Sequence, residues 1–148
     1  MNEYFIYSYL EAIEYRYQDY KNANELDKND FDTGIVKAFN NAIAIMKKLL
    51  QENDLLEGYI DDRCAADLNI SVKHLVEIIK HYITDIQKLY NNLFGKKDLP
   101  ATGEMFGYYA TLDILEIDIK TSDYEYLFAD INITIPISLD KKVDISEL

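Results

Sequence analysis

Apolar residues recur with helical spacing through the first two-thirds of the chain. Residues 2–20 carry one such stripe, and a second runs from Ile35 to Leu50 and ends before Gly58. Intervals of three and four residues place side chains on one face of an α-helix. The segment between the stripes is rich in Asn and Asp and predicts a loop, with Asp32 or Thr33 as the cap of the second helix.

The clearest predicted helix covers residues 72–94. Its apolar residues fill one arc of roughly 160°, and its polar residues fill the remainder. Ser71 is suited to cap its first turn, and Gly95 is suited to end it. A short helix over 61–68 is expected just before it.

The period of the pattern changes after residue 95. Pro100, Gly103 and Gly107 predict a break over residues 95–107. Polar residues and Pro136 then alternate with apolar ones, which is the two-residue period of a β-strand. The apolar members of this alternation are Ile131, Ile133, Ile135, Ile137 and Leu139.

An earlier alternation predicts the partner strand. Leu112 and Ile114, then Ile117 and Ile119, alternate with one slip that a β-bulge would absorb. The turn over residues 120–125 makes an antiparallel hairpin the economical interpretation, with Pro136 on an edge strand. Because two strands alone are marginally stable, we expect the hairpin to pack on the helices or to pair across a homodimer.

These elements predict a single α+β domain over residues 1–148. Three longer helices and one short helix, over about 2–94, form a layer that packs on a C-terminal antiparallel β-hairpin, over about 108–139. A chain of 148 residues is long enough to bury one ordinary hydrophobic core.

Net charge is the most informative feature of the composition. The formal charge is -12, with three basic against ten acidic residues after position 99. The negative electrostatic field of such a chain repels nucleic acid and membrane surfaces and favours encounter with basic partners. No apolar run approaches a membrane span, and the first residues do not resemble a signal peptide. The single cysteine, Cys64, indicates a reducing, cytoplasmic setting.

One segment is similar in pattern to a helix-turn-helix DNA-binding motif. Residues 62–79 place Ala65, Asn69 and Ile70 where that motif has a small residue, a left-handed turn and an apolar contact. Lys73, His74 and Lys80 would then face DNA. Val72 and Val76 oppose this interpretation because they belong to the apolar arc, so an ordinary helical corner is the stronger alternative.

A stripe of possible metal ligands follows one face of the same helix. It consists of His74, Glu77, His81 and Asp85. The two histidines are two turns apart, about 10.5 Å along the axis, which is too far to share one ion. We therefore expect a solvated polar face, without a metal or another cofactor.

Acidic residues line the predicted hairpin. They are Asp113, Glu116, Asp118, Asp123, Glu125 and Asp130. Carboxylates held on a rigid ribbon can replace phosphates and collect Lys and Arg contacts from a partner. Protection of strand edges against aggregation is the alternative role.

Motifs for phosphate loops, dinucleotide binding, zinc proteases and nucleophilic hydrolases are absent from the sequence. Thirteen tyrosines exceed what the helical stripes need, and tyrosine is enriched at protein interfaces. Together with the acidity, this favours a non-enzymatic inhibitor or regulator of the immunity-protein, antitoxin or phage-inhibitor kind. It would occlude a basic site on a nucleic-acid-processing enzyme or toxin.

The residues predicted to contact that basic partner are acidic side chains and tyrosines of the hairpin: Asp113, Glu116, Asp118, Asp123, Glu125, Tyr124 and Tyr126. The alternative is a helix-turn-helix transcriptional regulator that dimerises through the hairpin. A small hydrolase or metal protein is the third possibility.

Overall fold

The computed structural model describes residues 5–60 and 71–145, and the fold over these residues is helical. Helices α1 (Phe5–Leu26), α2 (Asp30–Glu52), α3 (Leu56–Ile60), α4 (Val72–Leu93) and α5 (Leu99–Lys120) are followed by a 3-10 helix at Glu125–Phe128. The described residues contain no strand. The α+β prediction with a C-terminal hairpin is therefore wrong.

The predicted helix over 72–94 is confirmed almost to the residue. The Ser71 hydroxyl accepts a hydrogen bond from the backbone N–H of His74 and caps α4. Gly95 follows the helix with a φ of 93°, a left-handed conformation that glycine adopts without steric cost. The clean separation of apolar and polar arcs on α4 made this element predictable.

The second helix is also confirmed, but its cap differs from the prediction. The side chain of Asn29, rather than Asp32 or Thr33, accepts the bond from the backbone N–H of Asp32. At the other end, Leu55 N–H bonds to Leu50 O and Asp54 N–H bonds to Gln51 O. This is a Schellman motif with Asp54, at a φ of 59°, in the position usually held by glycine.

Helix α5 replaces the predicted break and the predicted first strand. Pro100 lies in its first turn, where a missing N–H costs nothing, and Asp98 caps it by accepting from Ala101 N–H. Gly103 lies against α2 without a side chain in between, since an added Cβ would stand 1.9 Å from Phe31 O. Gly107 also lies close to α2, since an added Cβ would stand 2.5 Å from the Cβ of Ala38. The glycines therefore mark a close helix contact rather than a turn.

Residues 129–145 run without regular structure where the second strand was predicted. Of the alternating residues, only Ile135 is buried, and Ile137 is 72% exposed. Leu139 N–H bonds to Pro136 O in a turn, and Leu139 has a φ of 56°. Apolar and polar residues do alternate in this segment. Its backbone, however, forms hydrogen bonds with side chains of α4 and not with a partner strand.

The core lies between α1, α2, α4 and α5 and contains four fully buried tyrosines, Tyr9, Tyr82, Tyr90 and Tyr108. Tyr9 Oη donates to Thr111 O at 2.8 Å, and the hydroxyls of Tyr9 and Tyr82 are 2.7 Å apart. Tyr7, near the start of α1, is also buried. Part of the tyrosine excess therefore stabilises the fold.

Candidate protein-binding surface

The predicted acidic residues do not share one face, because their segment is helical. At 100° per residue, Asp113 and Glu116 are about 60° apart around α5, whereas Asp118 is about 140° from Asp113. Burial raises the pKa of Asp118, and its charge raises the pKa of the core residue Tyr9. Asp118 is therefore on a different side of α5 from Asp113 and Glu116 and does not share their face.

Two other predicted carboxylates are neutralised within the chain. Glu116 Oε1 is 3.2 Å from Lys120 Nζ, one turn along α5. Asp130 Oδ1 is 2.7 Å from Lys80 Nζ, and this hydrogen bond lowers the pKa of Asp130. The acidic residues of the predicted hairpin therefore do not form one continuous surface in the described residues.

Acidic residues without ion pairs and exposed apolar residues remain along the second half of α5 and in the segment that follows it. Among the described residues, no Lys, Arg or His forms an ion pair with Asp113, Asp123 or Glu125. Ile117 follows Asp113 by one turn on α5 and is 57% exposed, and Tyr126 is 69% exposed. We call these five residues the α5-end surface. Tyr124 is partly buried, so it contributes less than Tyr126.

Apolar side chains extend this surface towards the start of α5. The Phe106 ring contacts the rings of Phe31 and Tyr109 in tilted arrangements, with centroid distances of 5.8 Å to Phe31 and 6.0 Å to Tyr109. Leu99 is exposed at the first turn. Burial raises the pKa of Tyr109, and the charges of Asp113 and Glu116 raise it further.

The sequence pattern did not predict the aromatic contacts among Phe31, Phe106 and Tyr109. The signal that could have revealed them is the apolar character of α5 on nearly all sides, which exceeds what one buried face requires.

The residues proposed to contact DNA are largely engaged in contacts within the fold. His74 Nε2 is 2.7 Å from Asn53 Oδ1, which joins the start of α4 to the end of α2. Lys80 is held by Asp130, whereas Lys73 is exposed. Val76 is buried, as its place in the apolar arc requires. Half of the helix-turn-helix-like segment, residues 62–70 with Ala65, Asn69 and Ile70, lies outside the described residues, as does the predicted helix over 61–68.

The stripe of possible metal ligands on α4 does not form a cluster. Within residues 5–60 and 71–145, no group of three His, Cys, Asp or Glu side chains converges on a common point. Glu77 and His81 are exposed, and Asp85 is partly buried. His74 points away to Asn53. These residues therefore form a polar helix face in the described structure.

A cleft of about 200 Å³ between the starts of α2 and α5 contains a partly buried ionic network. Lys37 Nζ is 3.3 Å from Glu104 Oε1, and Tyr108 Oη donates to Glu104 Oε2 at 2.7 Å. Asn41 Nδ2 donates in turn to Tyr108 Oη. Glu104 is thus paired on both oxygens, and burial raises the pKa of Tyr108. The network joins α2 to α5.

Within the described residues, no helix combines the length and apolar character that crossing a lipid bilayer requires. Comparison with known proteins gives no match to a family model, to a curated protein or to a solved structure.

Proposed function

We propose that this protein is a non-enzymatic regulator that binds a basic protein surface through the α5-end surface. The observation that carries the proposal is the exposure of Ile117 and Tyr126, close in sequence to three carboxylates that have no cation partner in the described structure. Aromatic and apolar anchors surrounded by charge are typical of protein interfaces. The net charge of -12 adds long-range attraction to a basic partner.

The class of partner follows from the same chemistry. Carboxylates at Asp113, Asp123 and Glu125 can accept hydrogen bonds from Lys and Arg side chains that otherwise contact phosphates. A nucleic-acid-processing enzyme or a toxin presents such side chains, and the bound regulator would occlude them. We place this activity in the cytoplasm because Cys64 is the only cysteine of the sequence.

The structure gives the helix-turn-helix alternative less support. Two of its three proposed DNA contacts, His74 and Lys80, already bond to Asn53 and Asp130. Their release would be required before either side chain could contact a phosphate. Dimerisation through a hairpin is not possible without the hairpin, and no described contact addresses the oligomeric state.

Affinity capture with a matched pair of variants tests the proposal. The site variant combines Asp113→Asn, Asp123→Asn and Glu125→Gln. The control variant combines Asp19→Asn, Asp27→Asn and Glu25→Gln, which neutralises three exposed carboxylates around the end of α1. The wild-type and control proteins should retain a stoichiometric basic protein from native cells at low salt, and the site variant should lose it. Equal capture by all three proteins, or capture of duplex DNA instead, would reject the proposal.

A further inference from the structure

One side of α4 holds the segment over residues 131–143 by contacts to its backbone. Gln87 Nε2 donates to Asn132 O at 2.7 Å and to Thr134 O at 3.2 Å. Tyr90 Oη donates to Lys141 O at 2.8 Å. All three hydrogen bonds are made to backbone carbonyl groups, which every peptide carries. They therefore do not depend on the identity of the side chains in the segment.

Asn91 makes the most specific of these contacts. Its Nδ2 donates to Val143 O at 3.0 Å, and its Oδ1 accepts from Val143 N–H at 2.8 Å. One amide side chain thus satisfies both backbone groups of one residue, as a neighbouring strand would. Gln87 is 2% exposed although it is polar, because the segment covers it.

Three of the side chains on α4 that contact residues 130–143 lie in one stripe. Lys80, Gln87 and Asn91 follow one another at intervals of seven and four residues, which keeps them within about 40° on one side of the helix. The stripe from Lys80 to Asn91 is about 16 Å long. The segment runs along it in the same direction as α4, since Asp130 bonds at Lys80 and Val143 bonds at Asn91.

The segment contacts the stripe in two short pieces. Ile135 and Val143 are buried side chains, one in each piece. Between them the chain turns at Pro136–Leu139 and exposes Ile137. Leu139 has a left-handed φ of 56°, a conformation that is unfavourable for a branched apolar residue. The segment is therefore fixed by few anchors and includes one strained residue.

We propose that this stripe of α4 is a binding site for an extended peptide, and that residues 131–143 are its exchangeable resident ligand. The ligand class is a peptide with free backbone groups at the Gln87 and Asn91 positions and apolar side chains at the positions of Ile135 and Val143. The site is on a different helix from the α5-end surface and does not depend on the function proposed there. Release of the resident segment would open the stripe to a segment of a partner protein.

Hydrogen exchange on the full chain tests exchangeability. The reporter is the amide of Val143, which bonds to a side chain of α4 rather than to another backbone group. It should exchange at least 100-fold faster than the amides of buried residues in α5, because the segment opens without global unfolding. Equal exchange of Val143 and the α5 core would overturn the proposal, since the segment would then be an inseparable part of the fold.

Two variants test the role of Asn91 in the same measurement. Asn91→Ala removes both bonds to Val143, and Asn91→Asp keeps the acceptor but removes the donor. Each should raise exchange in residues 131–143, by roughly tenfold for Asn91→Ala, and leave α5 unchanged. An equal rise in both regions would show that Asn91 supports the whole fold, which contradicts the proposal.

A synthetic peptide with the sequence of residues 130–145 tests the site in trans. At several millimolar it competes with the tethered segment, whose effective concentration is in the millimolar range. It should raise the exchange of Val143 in the full chain, whereas a scrambled peptide of identical composition should not. An equal effect of the two peptides, or no effect of either, would overturn the proposal.

Discussion

At the scale of single residues, the hydroxyl groups of buried tyrosines form hydrogen bonds with one another and with a backbone carbonyl in the core. Tyr9 uses its only proton for Thr111 O, so the neighbouring Tyr82 hydroxyl donates to Tyr9 Oη. Burial raises the pKa of both phenols, which keeps them neutral and able to donate. A chain of two hydrogen bonds therefore links α4 through α1 to α5.

This order of donors predicts unequal effects of two similar substitutions. Tyr9→Phe should lower the free energy of unfolding by about 2 kcal/mol, because it leaves the Tyr82 hydroxyl buried without its acceptor. Tyr82→Phe should cost about 1 kcal/mol, since Tyr9 keeps its bond to Thr111. Urea unfolding measures both. The double variant should cost little more than Tyr9→Phe, and strictly additive losses would contradict the chain of bonds.

Asp118 gives a second prediction at this scale, and it concerns pH. Burial raises its pKa above the ordinary value of 3.8 in the folded state. The folded chain then binds this proton more tightly than the unfolded chain, so stability decreases as pH rises above 3.8. Asp118→Asn should therefore increase the free energy of unfolding at pH 7.

The gain from Asp118→Asn should shrink as the pH is lowered towards 4, because the wild-type carboxyl then carries its own proton. Urea unfolding at several pH values measures the difference. Asp123→Asn, which removes the same charge from an exposed position, is the control. A gain of the same size in both variants would assign the effect to net charge rather than to burial of Asp118.

At the scale of elements, the close packing of α5 on α2 depends on two glycines of α5. Gly103 and Gly107 on α5 face Phe31, Ile35 and Ala38 on α2, and their missing side chains allow the two backbones to approach closely. Glycine inside a helix costs about 1 kcal/mol relative to alanine. The close contact with α2 offsets this cost, so helix propensity alone misplaces the start of α5.

Alanine substitutions test this contact. Gly103→Ala should lower the free energy of unfolding by about 3 kcal/mol, because its Cβ would meet the backbone of Phe31. Gly107→Ala should cost less, about 1–2 kcal/mol, since its nearest contact is the Ala38 side chain. Thermal or urea unfolding followed by circular dichroism measures both.

The double variant Ala38→Gly with Gly107→Ala controls for helix propensity. It exchanges the methyl group across the interface and should recover part of the Gly107→Ala loss. No recovery would show that the helix contact is not the cause of that loss.

Some elements were predictable from sequence and others were not. Helix α4 was predictable because it separates its apolar and polar residues cleanly. Helix α5 was not, because its apolar residues surround the axis and leave no dominant period. Leu112 and Ile119 were assigned to a strand, yet with Tyr108 and Leu115 they form the buried face of α5. Alternation over residues 131–139 was misleading because the partner of that segment is a set of side chains on α4.

At the scale of the whole molecule, the charge asymmetry of the chain was predictable, but the shape of the acidic surface was not. Counting residues identified Asp113, Asp123 and Glu125, which lie on the α5-end surface. It also included Glu116 and Asp130, whose partners Lys120 and Lys80 become apparent only in the folded chain. Ile117 belongs to the apolar alternation of the predicted first strand, but on helix α5 it is 57% exposed.

Binding of the basic partner should depend on where the carboxylates lie and not only on the net charge of -12. The most direct test is the association rate of the captured basic partner with the wild type, the site variant and the control variant, measured over a range of salt concentrations. The site variant should associate at least tenfold more slowly at low salt, and the control variant should remain close to the wild type. Equal slowing in both variants would show that total charge alone drives the encounter and would contradict the account.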